Sequence, residues 1–99
     1  IGIQPNVVGN LVRLPVPTLT RERRLEIVKL VKKRTEEGKI SIRNVRRSSI
    51  EEIRKMEKNG ELSQDESRRI QTKIQEITDE SIDKLDEKSL TKEKEILND

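Results

Sequence analysis

The chain contains no cysteine, no histidine and no phenylalanine, tyrosine or tryptophan. Without cysteine there are no disulfides and no thiolate chemistry. Without histidine the commonest metal ligand and the usual neutral-pH proton shuttle are gone. The lack of aromatics leaves a thin core of Ile, Leu and Val, and removes the side chains on which proteins stack unpaired bases. No apolar run approaches the roughly 20 residues of a membrane span, and no charged-then-apolar leader is present, so a soluble chain with no membrane partner is expected. Carboxylates are plentiful, as at Glu36-Glu37, Glu51-Glu52 and Asp86-Glu87, but on solvated helices no apolar wall would shift them toward acid–base work. Asp79, Asp83 and Glu87 recur at i, i+4, i+8, a ladder that reads as solubility and not as a metal site. With no glycine-rich phosphate loop or nucleophile elbow either, the sequence predicts no enzyme, no catalytic residue, no metal, no cofactor and no small-molecule substrate.

What is present is charge and helix. Of the 99 residues 41% are charged and 29% hydrophobic, a balance that belongs to long helices and coiled coils. Residues 21–58 hold no proline and one glycine, and are rich in Lys, Arg, Glu, Leu and Ile, so one uninterrupted helix roughly 57 Å long is predicted. The net charge of +3 hides an asymmetry: residues 20–58 carry 14 Lys and Arg against 7 Asp and Glu, residues 59–99 carry 7 against 12, and Arg13 adds one. Basic charge is therefore concentrated on the first long helix, where a polyanion would dock.

In chain order, residues 1–10 are turn formers, and residues 10–14 alternate weakly enough for one short strand whose sheet must come from elsewhere. Pro15-Val16-Pro17-Thr18 holds the chain extended and reads as a stiff hinge linker over 15–19. Because the chain begins without Met, an upstream part is expected. Thr20 is the predicted N-cap of the first helix and Asn59-Gly60 its stop. Ser63-Gln64-Asp65-Glu66 is a capping box, which predicts a second helix over 64–97, antiparallel to the first. Apolar and small residues at three-four spacing mark a seam on each helix: Ile27, Val31, Thr35, Gly38, Ile42, Val45, Ser49, Ile53 and Met56 on the first, and Ile70, Ile74, Ile77, Ser81, Leu85, Ser89 and Ile96 on the second. So small a seam buries little, and Leu25, Ile40 and Ile50 would stay wet in a hairpin, so a third helix is implied, from missing sequence or from another chain.

Within the first helix lies the cluster Arg43-Asn44-Val45-Arg46-Arg47. At about 100° per residue, Arg43, Arg47 and Arg54 fall within about 40° of one another and away from the seam, while Arg46 lies beside Ile42 at its edge. Guanidiniums so close repel unless something anionic sits among them, and their planar fork matches phosphate oxygens. In so charged a chain a solvated face is the competing reading. The residues alone thus describe a helical hairpin with a basic face that binds a structured RNA or a protein.

The segments Ile3-Gln4-Pro5-Asn6, Val12 through Thr20 with Glu22-Arg23-Arg24, Glu36-Glu37-Gly38-Lys39 leading into the arginine cluster, Leu62 through Arg68, and Lys92-Glu93-Lys94-Glu95 resemble the C-terminal half of the bacterial and organellar ribosome recycling factors over nearly the whole chain. Glu36-Glu37-Gly38-Lys39 and Lys58 through Ser63 look most like the cyanobacterial and plastid branch. The resemblance implies a mainly α fold: a long antiparallel helical hairpin, part of a three-helix bundle lacking its first helix, over residues 20–99. Residues 1–14 would be the strand-bearing remnant of a small β/α/β domain, and 15–19 the hinge. It further implies RNA-binding roles for Arg24, Arg43, Asn44, Arg46 and Arg47, with the ribosome (large-subunit rRNA) and elongation factor G as partners. The implied task is splitting the post-termination ribosome, in the bacterial cytoplasm or the plastid stroma. A coiled-coil protein-interaction module without RNA binding is the alternative.

Overall fold

The computed structural model describes residues 20–98, which form two long helices, α1 (Arg21–Lys58) and α2 (Gln64–Asn98), folded back on each other as a hairpin. The strand expected near residues 10–14 and the hinge at Pro15, Val16, Pro17 and Thr18 lie outside the described residues.

Local side-chain chemistry sets the helix ends. The Thr20 hydroxyl accepts the Arg23 amide at 3.0 Å, satisfying one of the orphan donors of the first turn. At the other end Glu61 N–H reaches the Met56 carbonyl (2.8 Å) and Gly60 N–H the Glu57 carbonyl (3.1 Å), the paired bonds of a Schellman stop. That stop requires a left-handed residue, and Gly60 supplies it with φ of 82°. Two residues later the capping box closes as predicted. Ser63 Oγ accepts Glu66 N–H at 3.1 Å, and Glu66 Oε1 accepts Ser63 N–H at 2.8 Å. The Ser63 N–H donated to the carboxylate, and after it the Ser63 side chain, hold the Glu66 carboxyl below its ordinary pKa.

The pairing register can be followed from contact to contact. Arg24 meets Ile96, Thr35 meets Ser89, Gly38 meets Leu85, and Arg46 meets Gln75, so 22 steps along α1 (24 to 46) correspond to 21 steps back along α2 (96 to 75). The line of closest approach is made largely of small and polar residues: Ser67 is fully buried, Thr78 is 6% exposed, Ser89 8%, and Val28, at 7%, is the one buried aliphatic among the described residues. Buried hydroxyls must find partners. Thr78 donates to the Ile74 carbonyl at 2.7 Å, and Thr35 to the Val31 carbonyl at 2.8 Å while lying 2.9 Å from Ser89 Oγ. Ser89 donates to Glu93 Oε2 at 3.0 Å, whose other oxygen faces Lys32 at 3.9 Å. Lys39 bridges the helices again through an ion pair with Asp86.

Three expectations about the seam need correction. Val45 is 65% exposed and Ile77 51%, so neither lies in the interface. They sit on one flank of it, where with Ile42 and Ile74 they line a shallow apolar groove. Thr78 takes the interior place beside Ile77, because helices that close over serine, threonine and glycine approach so tightly that side chains about 100° from the contact line are left outside. Ile50, expected to be wet, is half-buried and lines a depression with Ser67 and Gln71. Leu25 and Ile40 are exposed as expected.

Candidate nucleic-acid interface

The long helix decides which arginines can act together. Arg43 and Arg47 are one turn apart and exposed, rising from α1 on the side turned away from the apolar groove. Arg47 Nη1 donates to Asn44 Oδ1 at 3.0 Å, so the Asn44 amide braces the guanidinium on the helix surface without supplying negative charge. Arg46 is half-buried at the edge of the seam, where its stem packs, and its Nη1 lies 3.4 Å from Gln75 Oε1 on α2. Gln75 in turn donates to Asp79 Oδ1 at 3.0 Å. A neutral amide thus stands between Arg46 and the nearest carboxylate on that path.

Electrostatically the cluster is open. Among the described residues, no carboxylate comes within 4.0 Å of Arg43, Arg46 or Arg47. Arg43 and Arg46 line a shallow depression together with Gln75, Thr78, Asp79 and Asp83, so two carboxylates of α2 share it with the guanidiniums without closing an ion pair to either. Three cations within about 6 Å of helix rise raise the local potential, and an anion placed among them relieves the repulsion. Phosphate fits both the charge and the forked donors.

Arg24 stands apart. It lies about 28 Å from Arg43 along α1, is half-buried, and donates from Nη1 to the Ile96 carbonyl at 3.0 Å. There it satisfies one of the orphan carbonyls in the last turn of α2. The structure therefore brings Arg43, Asn44, Arg46 and Arg47 together and leaves Arg24 at the open end of the hairpin. Gln75 is the partner that sequence reasoning missed. Its spacing to Asp79 marks a helix-surface pair, but its reach to Arg46 depends on the cross-helix register. Among the described residues no group of three Asp or Glu gathers as a metal site would require, and no helix is long and apolar enough to cross a membrane.

Comparison with known proteins adds to this geometry. A family model described as "Ribosome recycling factor" matches residues 1–97. The chain is similar to the ribosome-recycling factor of Gloeothece citriformis, with 55% identity over 96 residues covering 97% of this chain and 53% of the relative. It is also similar to that of Synechocystis, at 49% over 96 residues with the same coverage. The factor of Bacillus subtilis is 45% identical over 97 residues, covering 98% of this chain and 52% of its own. The chain spans about half the length of the curated relatives it matches.

Proposed function

The chain belongs to the ribosome recycling factor family, and from that membership we propose that its hairpin is the ribosome-gripping rod of such a factor. The Arg43, Arg46 and Arg47 guanidiniums dock on the phosphate backbone of large-subunit rRNA in the post-termination ribosome. With elongation factor G supplying the push, the rod helps separate the subunits for another round of translation. The role is binding and force transmission, not bond chemistry. Residues 1–14 belong to a small second domain that swings about Pro15, Val16, Pro17 and Thr18. A third helix covers the groove beside Val45 and Ile77 and completes a bundle with α1 and α2. Arg24, at the far end, extends the grip or secures the rod's end. The protein works where such ribosomes are, in the bacterial cytoplasm or the plastid stroma.

The observation that carries this reading is an arginine cluster on one flank of a long helix, Arg43 and Arg47 exposed and Arg46 at the edge of the seam, with no carboxylate within 4.0 Å among the described residues, in a chain of the ribosome recycling factor family. Three phosphate contacts give a slope of log K against log salt near −2 to −3, so binding should weaken about 16- to 64-fold between 50 and 200 mM salt. Co-sedimentation with ribosomes at those two concentrations is the test. Arg43→Glu with Arg47→Glu should abolish binding while helicity survives. If that double variant binds as the parent does, the basic face is not the ribosome contact, and self-association through the α1–α2 seam residues Ile42 and Ile74 becomes the reading to pursue.

A further inference from the structure

Of the five asparagines in the chain, Asn59 alone is followed by glycine. That pair ends α1, and both residues are exposed. The neighbour matters chemically, because the backbone nitrogen after an asparagine can attack that residue's own side-chain amide. Glycine brings no Cβ to crowd the approach, and a Cβ added at Gly60 would meet no atom within 4 Å, so no other element shields the site. Among the described residues no hydrogen bond holds the Asn59 carboxamide, in contrast to that of Asn44, which accepts from Arg47.

What restrains the reaction is the backbone. Ring closure requires the Gly60 nitrogen to come round to the side of the Asn59 Cβ. With Asn59 at ψ of −1° that nitrogen is instead eclipsed with the residue's own nitrogen. Substituents on a tetrahedral carbon are spaced by about 120°, so ψ must turn by roughly that much. The rotation breaks the bond from Gly60 N–H to the Glu57 carbonyl (3.1 Å) and the one from Glu61 N–H to the Met56 carbonyl (2.8 Å). The stop must therefore open before the ring can form, and helix ends open locally at far smaller cost than the whole fold.

We propose that Asn59 is a site of spontaneous covalent modification, converted to aspartate and isoaspartate through a succinimide formed with Gly60, and that the Schellman stop gates the conversion. In the first step the Gly60 nitrogen gives its proton to solvent and bonds to Asn59 Cγ; the Cγ–Nδ2 bond breaks and ammonia leaves. Water then opens the ring. Attack at Cγ breaks its bond to the nitrogen and leaves aspartate, whereas attack at the main-chain carbonyl carbon leaves isoaspartate. Either product weakens the stop that produced it. Aspartate adds negative charge at the C-terminus of α1, where the helix dipole is already negative. Isoaspartate routes the main chain through Cβ and lengthens the connection between α1 and α2 by one carbon.

The test ages the full chain in warm, mildly alkaline buffer beside a peptide of residues 56–63, which has no stop to open. Peptide mapping by mass spectrometry reads conversion at Asn59, and hydrogen exchange reads the Gly60 and Glu61 amides. Conversion should be at least about tenfold slower in the chain than in the peptide, and the two amides should be protected from exchange by the same factor to within about threefold. Asn59→Asp, which reproduces the first product, should quicken exchange of both amides about two- to fivefold. Equal conversion in chain and peptide, or amides protected far more strongly than Asn59, would show that the stop is not the gate. Unchanged exchange in Asn59→Asp would remove the weakening of the stop. If Asn59 stays intact in the chain while the peptide converts and both amides exchange, or if Asn44 or Asn98 converts first, the site itself is wrong.

Discussion

Gly38 packs directly against Leu85 of α2, and replacing it with alanine sets two effects of similar size against each other. A Cβ at Gly38 would stand 3.0 Å from Leu85 Cδ2, tighter than ordinary van der Waals contact. Inside a helix, Gly→Ala contributes about 1 kcal/mol of stability through reduced backbone entropy and better propensity. The atom in the way is the end of a flexible, half-buried side chain, and moving it some 30° off its rotamer costs about 0.5–1.5 kcal/mol. Gly38→Ala should therefore change stability by less than about 0.5 kcal/mol in either direction. In a Leu85→Ala background the obstruction is gone and the full gain of about 1 kcal/mol should appear, which gives a coupling near 1 kcal/mol between the two sites. Gly38→Val, with two more methyl groups in the same gap, should cost about 2 kcal/mol. Urea unfolding followed by the helical circular-dichroism signal measures all of these. A full stabilisation of about 1 kcal/mol from Gly38→Ala with Leu85 in place, and no coupling in the double variant, would refute the close packing of α1 on α2.

Three further outcomes follow from the same contacts. The depressed Glu66 carboxyl stabilises the fold above the unfolded-state pKa, and that stability is lost as pH falls through the lower folded value; Glu66→Gln keeps the capping bond but should flatten this loss in an acid titration of helicity below about pH 4.3. Ser89→Ala alone, which removes the link between Thr35 and Glu93, should cost about 1 kcal/mol, whereas Thr35→Val combined with Ser89→Ala should cost less than the two singles together, as read by thermal unfolding. Arg24→Met removes the bond to the Ile96 carbonyl, so amide hydrogen exchange over residues 94–98 should quicken while that over residues 64–80 is unchanged.

Helix boundaries were legible because caps are local. Thr20, Asn59-Gly60 and Ser63 with Glu66 each act within a few residues, and the helices run Arg21–Lys58 and Gln64–Asn98, against 21–58 and 64–97 expected from sequence. The seam was legible in direction only. Periodicity gives an angle, and apolarity then favoured Val45 and Ile77, but the interface settled on Thr78 and Ser67 together with Ser89, which the seam had included, and their small size lets the backbones approach. Their burial depends on tertiary register, which the turn at 59–63 and the Gly38–Leu85 contact set together. The site divides in the same way. That Arg43 and Arg47 share an outward face with Asn44 beside them follows from 100° per residue. The reach of Arg46 to Gln75 and the tie of Arg24 to Ile96 both cross between helices 29 and 72 residues apart in sequence, beyond any local rule.

The central claim, that the outward side of α1 faces nucleic acid, can be tested by directed cleavage. Since these 99 residues contain no cysteine, a single one introduced into them can carry an iron chelate that generates hydroxyl radicals at a chosen point. Glu51→Cys places the probe between Arg47 and Arg54 on α1, and Glu80→Cys places it on the exposed outer surface of α2. With the labelled protein bound to ribosomes, the account predicts strong, localised cuts in large-subunit rRNA from position 51 and few from position 80. Equal cutting from both, or cutting from position 80 alone, would contradict it.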